Sequence, residues 1–238
     1  MINKIWVAEE IWALRPDYQV LILIAEGLAG GPSDAESRRW LVGAAADAAD
    51  PTGDEHVAAW QDAFRAFGAK PTRTRSSVDA LLRRAGTGLP TVNRVVDAYN
   101  AVSVAYVLPI GGEDFDAYDG APRLVRAHGG EPFDTSAHGE RVTEHVPQGE
   151  VVWRDDAGVT CRRWNWRQCQ RTQITQATRN GFFVLERLAP YPAERLAAAA
   201  SALTGYLTTI TPTVRVETRV VRHGSSAGFG GHDPLLRR

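Results

Sequence analysis

Apolar residues recur along this chain in two rhythms, and each predicts its own kind of element. Near the N-terminus, "NKIWVAEEIWALRP" reads as a short strand followed by a turn of helix ended by Pro16. The run "VLILIA", Val20 to Ala25, reads as an apolar strand closing at Gly27, Gly30 and Gly31. Ser33 or Asp34 then stands where an N-cap belongs, and the helix behind it extends toward Pro51. A second helix is predicted from about Asp54 to Gly68, with Val57, Trp60, Phe64 and Phe67 on one face. A third covers "SSVDALLRRAG", where Arg83 and Arg84 near the C-terminal end complement the helix dipole. The next stretch, "TVNRVVDAYNAVSVAY", keeps helical spacing at Val92, Val95, Val96, Tyr99, Val102 and Tyr106 despite its β-branched load.

From Leu108 onward the rhythm shortens, and glycine turns alternate with strand-like pieces. "GEVVWRDDAGVTCRRWNW" has the form of a hairpin turning at Asp-Asp-Ala-Gly, so the segment after the turn is expected to be mostly strand. "GFFVLERL" predicts another strand, and "PAERLAAAASALTGYL" an amphipathic helix opened by Pro192. "TVRVETRVV" alternates with period two like an edge strand. No repeat of solenoid period is present. Helices and strands interleave without a βαβ rhythm, which predicts a mixed α+β class. The candidate hinge "GAKPTRTRSS" is too short and too basic to be a free linker, so residues 1–222 are expected to form a single domain, with 223–238 a flexible tail.

The totals narrow the function classes. With 44% hydrophobic content over 238 residues, the chain buries a core without staples. Cys161 and Cys169 are too few for a zinc site of their own and too far apart in sequence for a C-x-x-C pair. They read as buried thiols of a reducing compartment, and a cytoplasmic location is expected. No basic-then-apolar leader opens the sequence and no apolar run approaches membrane length, so no membrane role is expected. The formal charge of −1 argues against indiscriminate coating of nucleic acid, and no DNA partner is expected. Any RNA contact must come from a local patch. One candidate is "TRTRSSVDALLRR", where Arg73, Arg75, Arg83 and Arg84 form either a phosphate-contacting patch or a solvated helix face.

The chemistry-bearing motifs are few. His128, His138 and His145 sit in glycine-rich surroundings without a partner at metal-ligand spacing, and no phosphate-loop glycine pattern occurs, so neither metal nor cofactor is expected. What stands out is "CRRWNWRQCQR", residues 161–171, which holds two tryptophans, both cysteines and four arginines without any acid. Strand alternation sends Arg163, Asn165 and Arg167 to one face and Arg162, Trp164 and Trp166 to the other. The stretch is then either core tryptophans with solvated arginines, or one wall of a ligand pocket.

"VNRVVDAYNAVSVAYVLPIGGEDFD", "RLVRAHGGEPF" and "GEVVWRDDAGVTCRRWNWRQCQRTQITQATRNGFFVLERL" together resemble the B3/B4 domain, the editing module of the bacterial phenylalanyl-tRNA synthetase β subunit, in a freestanding form. The resemblance spans roughly residues 70–205 most strongly. It implies an α+β domain with a barrel-like β core and a pocket that hydrolyses mischarged aminoacyl-tRNA. No catalytic core of a synthetase is present, so the chain does not charge tRNA. Asp97 and Asn100 match the family's "VVDxxN" pattern, which places Asn100 near the pocket and gives Asp97 a structural role. The family's glycine-rich segment ending in a tyrosine-sensing glutamate falls on Asn165 to Gln170, which reads "NWRQCQ" here. Gln170 stands in the glutamate's place, and Trp166 and Arg167 replace small residues, so the pocket is refashioned.

On this reading Asn165 and Glu113 are the candidate catalytic residues. Asn100, Arg163, Trp166, Arg167, Gln168 and Gln170 are the candidate substrate-binding ones. Glu113, in "GGEDFD", is either the acid at the pocket's mouth or a turn carboxylate in water. An aminoacyl ester is already activated, so oriented water and donors to the developing oxyanion suffice without a protein nucleophile. Two functions follow. One is a trans-acting deacylase of mischarged tRNA; the other is a non-catalytic module that binds tRNA, an amino acid or another small ligand.

Overall fold

The computed structural model describes residues 2–137 and 139–224; the proposed tail from residue 225 onward, and His138, lie outside the described residues. In chain order the elements are β1 (Trp6–Val7), α1 (Glu9–Leu14), β2 (Gln19–Glu26), α2 (Ala35–Ala46), α3 (Glu55–Ala66), α4 (Ser77–Ala85), α5 (Arg94–Tyr106), β3 (Ile110–Asp114) and β4 (Arg123–Arg126). There follow β5 (Pro132–Ala137), β6 (Glu140–His145), β7 (Val151–Arg154), β8 (Val159–Arg162), β9 (Arg167–Gln168), β10 (Asn180–Arg187), α6 (Ala193–Ile210) and β11 (Arg215–Arg222). The helix starts follow capping chemistry: Asp34, Asp54, Ser76 and Asn93 each accept a backbone N–H with the side chain at the start of α2, α3, α4 and α5.

The class is mixed α+β. Among the described residues the strands do not close into a barrel, contrary to the expectation of a barrel-like core. They form open sheets ordered β1-β4-β7-β8-β9 and β11-β2-β10-β3, with β5 and β6 as a separate hairpin. The reason that β2 carries an unbroken apolar run is that both of its faces are covered. Leu21, Leu23 and Ala25 pack with residues of α5 and α6, whereas Val20, Ile22 and Ile24 pack with Trp60, Trp153 and Trp164. β10 divides in the same way, Phe183 and Leu185 facing the helices and Phe182 and Val184 the tryptophans.

That division positions the chemistry. Continuing the alternation along β10 puts Glu186 in phase with Phe182 and Val184. In the antiparallel register Phe182 lies opposite Glu113 and Val184 opposite Gly111 of β3, so these residues share one face of the sheet. The sheet approaches α5 so closely at Gly112 that a Cβ there would lie 2.7 Å from the Tyr99 ring. Gly112 is therefore a packing requirement rather than a phosphate loop. Asp97 anchors α5 from inside, accepting from Ser37 Oγ at 2.9 Å and from the Val92 amide at 2.9 Å.

The stretch 161–171 is not mostly strand. Only Cys161 and Arg162 belong to β8 and Arg167 and Gln168 to β9; residues 163–166 form a turn. Arg163 (φ 49°) and Trp164 (φ 68°) both take the left-handed conformation, which side-chain-bearing residues adopt at a cost. The turn is held from several sides. The Trp164 amide donates to the Val151 carbonyl at 2.7 Å, and the Ser77 amide donates to the Asn165 carbonyl at 3.1 Å. Trp164 is fully buried edge-on to Tyr18 and Trp60. Alternation fails here because a turn can send neighbours inward together, and both Trp164 and Asn165 are buried.

Candidate functional site

A cleft of about 540 Å³ opens where α4, α5, β3 and the 163–166 turn converge. Its polar lining includes Asn100, Glu113, Asn165 and Gln168 in its walls, and Arg73, Arg75, Arg83 and Arg84 from the loop before α4 and from α4 itself. Trp166 completes one wall. The structure thus brings together the arginine segment and most of the candidate site residues, which are far apart in sequence.

Three of the candidates lie outside this lining. Arg163 stacks over the Trp166 ring at 4.4 Å, pairs with Glu150 at 3.4 Å, and faces a second cleft instead. Arg167 reaches the Ser136 carbonyl at 3.4 Å. Gln170 donates its backbone amide to Asp134, and its side-chain oxygen is buried without a partner. The cause is the turn: residues 163, 165 and 167 do not share a face once the strand is interrupted.

Glu113 is neither at the mouth nor a turn carboxylate in water; it is buried, at 5% exposure. Tyr118 and Thr172 both donate to its Oε2 at 2.6 Å. Because these hydroxyls spend their protons on Glu113, Thr160 donates to Tyr118 at 3.1 Å and the Cys169 thiol to Thr172 at 3.2 Å. Burial outweighs these donors and raises the Glu113 carboxyl to about 7.

A second buried acid, Glu186, lies behind the lining. Its Oε1 accepts from the Tyr18 hydroxyl at 2.6 Å and from Trp153 Nε1 at 3.1 Å, and its Oε2 accepts from Asn165 Nδ2 at 2.9 Å. Burial pushes it up to about 7 as well. Sequence reasoning missed Glu186, although an acid ending the apolar run "FFVLE" was a visible signal. It also missed Tyr118 and Thr172, whose roles appear only when β3, β8 and the 170–178 loop meet. Cys161 lines the cleft, but burial raises its thiol well above the ordinary range, which disfavours the thiolate a nucleophile needs.

The arginines are not equivalent. Buried Asp79 accepts from Arg83 at 2.6 Å and draws Arg75 to 3.8 Å. Arg73 and Arg84 have no ion pair or side-chain hydrogen bond among the described residues. The arrangement supports proton transfer near neutral pH inside the cleft and anion binding at its basic segment. No group of three His, Cys, Asp or Glu side chains converges on a metal position among the described residues. No helix among them is long and apolar enough to cross a membrane.

The family model for the B3/4 domain matches residues 59–206. No curated protein matches the chain. Among solved structures, an N-terminal fragment of the phenylalanyl-tRNA synthetase β subunit from Pyrococcus horikoshii is similar at 14% identity and a TM-score of 0.49, over 90% of this chain and 50% of that one. The chain thus spans about half the length of that fragment. Every residue lining the larger cleft falls within the matched segment.

Proposed function

This chain belongs to the B3/4 domain family, and on that premise we propose that it is a trans-acting deacylase that binds the 3′ end of a mischarged tRNA and hydrolyses its aminoacyl ester. The observation that carries the reading is the pairing, in one cleft, of a buried carboxyl raised to about 7 with the basic segment Arg73 to Arg84. The arginines receive the phosphates of the RNA terminus, and the ester enters between Asn100, Glu113, Asn165 and Gln168.

Ionised Glu113 takes a proton from water as the water oxygen bonds to the ester carbonyl carbon. The carbonyl oxygen becomes an oxyanion, toward which the Gln168 amide supplies donors. When the intermediate collapses, the bond to the ribose oxygen breaks and that oxygen receives the proton from Glu113. Free amino acid and a tRNA hydroxyl leave. Trp166, a bulky ring in the cleft wall, supports a ligand other than tyrosine.

One observation favours the second reading, a binding module without hydrolysis. Two hydroxyls brace Glu113 on a single oxygen, which also suits a fixed ligand acceptor. Release of labelled amino acid from a panel of mischarged tRNAs separates the two. Deacylation should occur with at least one, and Glu113→Gln should slow it by about 10²-fold or more, the usual share of a general base. Binding of charged tRNA without release from any of them assigns the binding module. No preference for charged over uncharged tRNA removes the deacylase and leaves the module that binds tRNA itself or a small ligand.

A further inference from the structure

Asn165 lines the cleft with only one end of its side-chain amide paired. Its Nδ2 donates to Glu186 Oε2 at 2.9 Å, while its Oδ1 is buried with no hydrogen-bond partner. The direction is imposed from behind. Tyr18 and Trp153 occupy Glu186 Oε1, so Asn165 meets Oε2, which in the carboxylate form accepts and cannot donate. An amide that gives its NH₂ to one side turns its carbonyl to the other, and Asn165 is a lining residue of the cleft. A buried acceptor left unpaired carries a cost that a ligand donor relieves. Through that amide the ligand also meets the charge of Glu186, and no arginine or lysine pairs with Glu186 among the described residues.

We propose that Asn165, oriented by Glu186, is the subsite for a protonated amine, so that the cleft recognises its ligand by a free α-ammonium group and Glu186 is the positioning residue for that contact. The identification of the amine with an aminoacyl ester rests on the function proposed above. The division of labour is chemically consistent: Glu113 remains free to take a proton from water, while the Asn165 carbonyl and the carboxylate behind it hold the cation. Burial raises Glu186 to about 7, so the carboxylate form that this orientation needs prevails above neutral pH.

The test uses RNA minihelices carrying an amino acid through a 3′-amide link, which the protein does not hydrolyse. A panel of side chains is prepared with the amine free and with it N-acetylated, beside the uncharged RNA, and affinities are measured at about pH 8, above the carboxyl range. For side chains that bind, the free amine should be favoured by about tenfold or more, the order of a well-placed charge-assisted hydrogen bond. Glu186→Gln offers Asn165 an NH₂ in place of an acceptor, which turns the amide around and should abolish the preference. Adding Asn165→Asp to Glu186→Gln restores an acceptor facing the cleft and should restore the preference, a rescue that a merely structural Glu186 would not give. Equal affinity for amine and N-acetyl forms in the wild-type protein overturns the proposal while leaving the function reading intact. Equal affinity for charged and uncharged RNA overturns both. If Glu186→Gln does not fold, the wild-type comparison still decides the ammonium subsite, and a Glu186→Gln protein that folds and keeps the preference removes Glu186 from it.

Discussion

Arg162 and Glu150 meet through two parallel hydrogen bonds, Nε to Oε1 at 2.8 Å and Nη2 to Oε2 at 2.9 Å, with both side chains more than nine-tenths buried. Glu150 also accepts from the Arg163 amide at 3.3 Å, so one carboxylate holds the strand end and the first residue of the left-handed turn. Breaking a buried pair by removing one partner leaves an uncompensated charge, which costs about 3–5 kcal/mol. Glu144 still contacts Arg162, which favours the lower end of that range for Glu150→Ala. Chemical denaturation should show the loss. A cost below about 1 kcal/mol, the level of an exposed pair, would remove Glu150 as the anchor of the turn.

Trp164 and Asn165 are adjacent and both buried, yet they should respond differently to truncation. Trp164→Ala empties a site among Tyr18, Trp60 and Phe67 and should destabilise by about 3–5 kcal/mol. Asn165→Ala removes one of three donors to Glu186 and should cost about 1–3 kcal/mol, with ligand binding or deacylation impaired in a folded protein. Thermal melts beside binding assays separate scaffold from site. An Asn165→Ala protein that binds and hydrolyses like wild type would return the turn to a purely structural role.

The two buried acids make stability depend on pH in an unusual direction. Glu113 and Glu186 keep their protons in the folded protein up to about 7, against 4.5 for an unperturbed glutamate. Their contribution is therefore fully present below the unfolded value and is lost as pH rises through about 7, by roughly 3 kcal/mol for each group. Unfolding free energy should fall from about pH 4.5 until just above pH 7, and Glu113→Gln or Glu186→Gln should each flatten that fall. Deacylation should rise over the upper part of the same interval, because the base form of Glu113 appears there. Stability that is flat with pH in the wild-type protein would show that the two carboxyls are solvated rather than buried.

Elements whose signals are local were legible in the sequence. Asp34, Asp54 and Pro192 mark helix starts that the structure retains, and the alternation of "TVRVETRVV" gives β11 at a sheet edge. The turn at 163–166 was not legible, because it contains no glycine, proline or aspartate and relies on Glu150, Val151, Ser77 and Glu186 from other segments. The same dependence hid half of the site. Asn100, Glu113, Asn165, Gln168 and the arginines could be named from residue type and resemblance, whereas the burial of Glu113 and the place of Glu186 behind Asn165 follow from a register between β3 and β10 that no short motif encodes.

The arginines of the cleft offer a test of RNA contact in which fold and charge are separable. Arg83 is a poor choice for charge reversal, because a glutamate there would face buried Asp79, which now accepts from Arg83 at 2.6 Å. Arg73 and Arg84 line the same cleft without an ion pair among the described residues, so replacing them removes positive charge without stranding a buried acid. If both contact phosphates, Arg73→Glu with Arg84→Glu should weaken tRNA binding and lower the log–log salt dependence by about one unit for each lost contact. The loss should be similar for all tRNA sequences, since phosphate contacts position without reading bases. Affinity and salt slope should be measured at several salt concentrations beside a melting curve. A folded double variant with an unchanged slope would place the RNA elsewhere and leave the cleft to a small ligand alone.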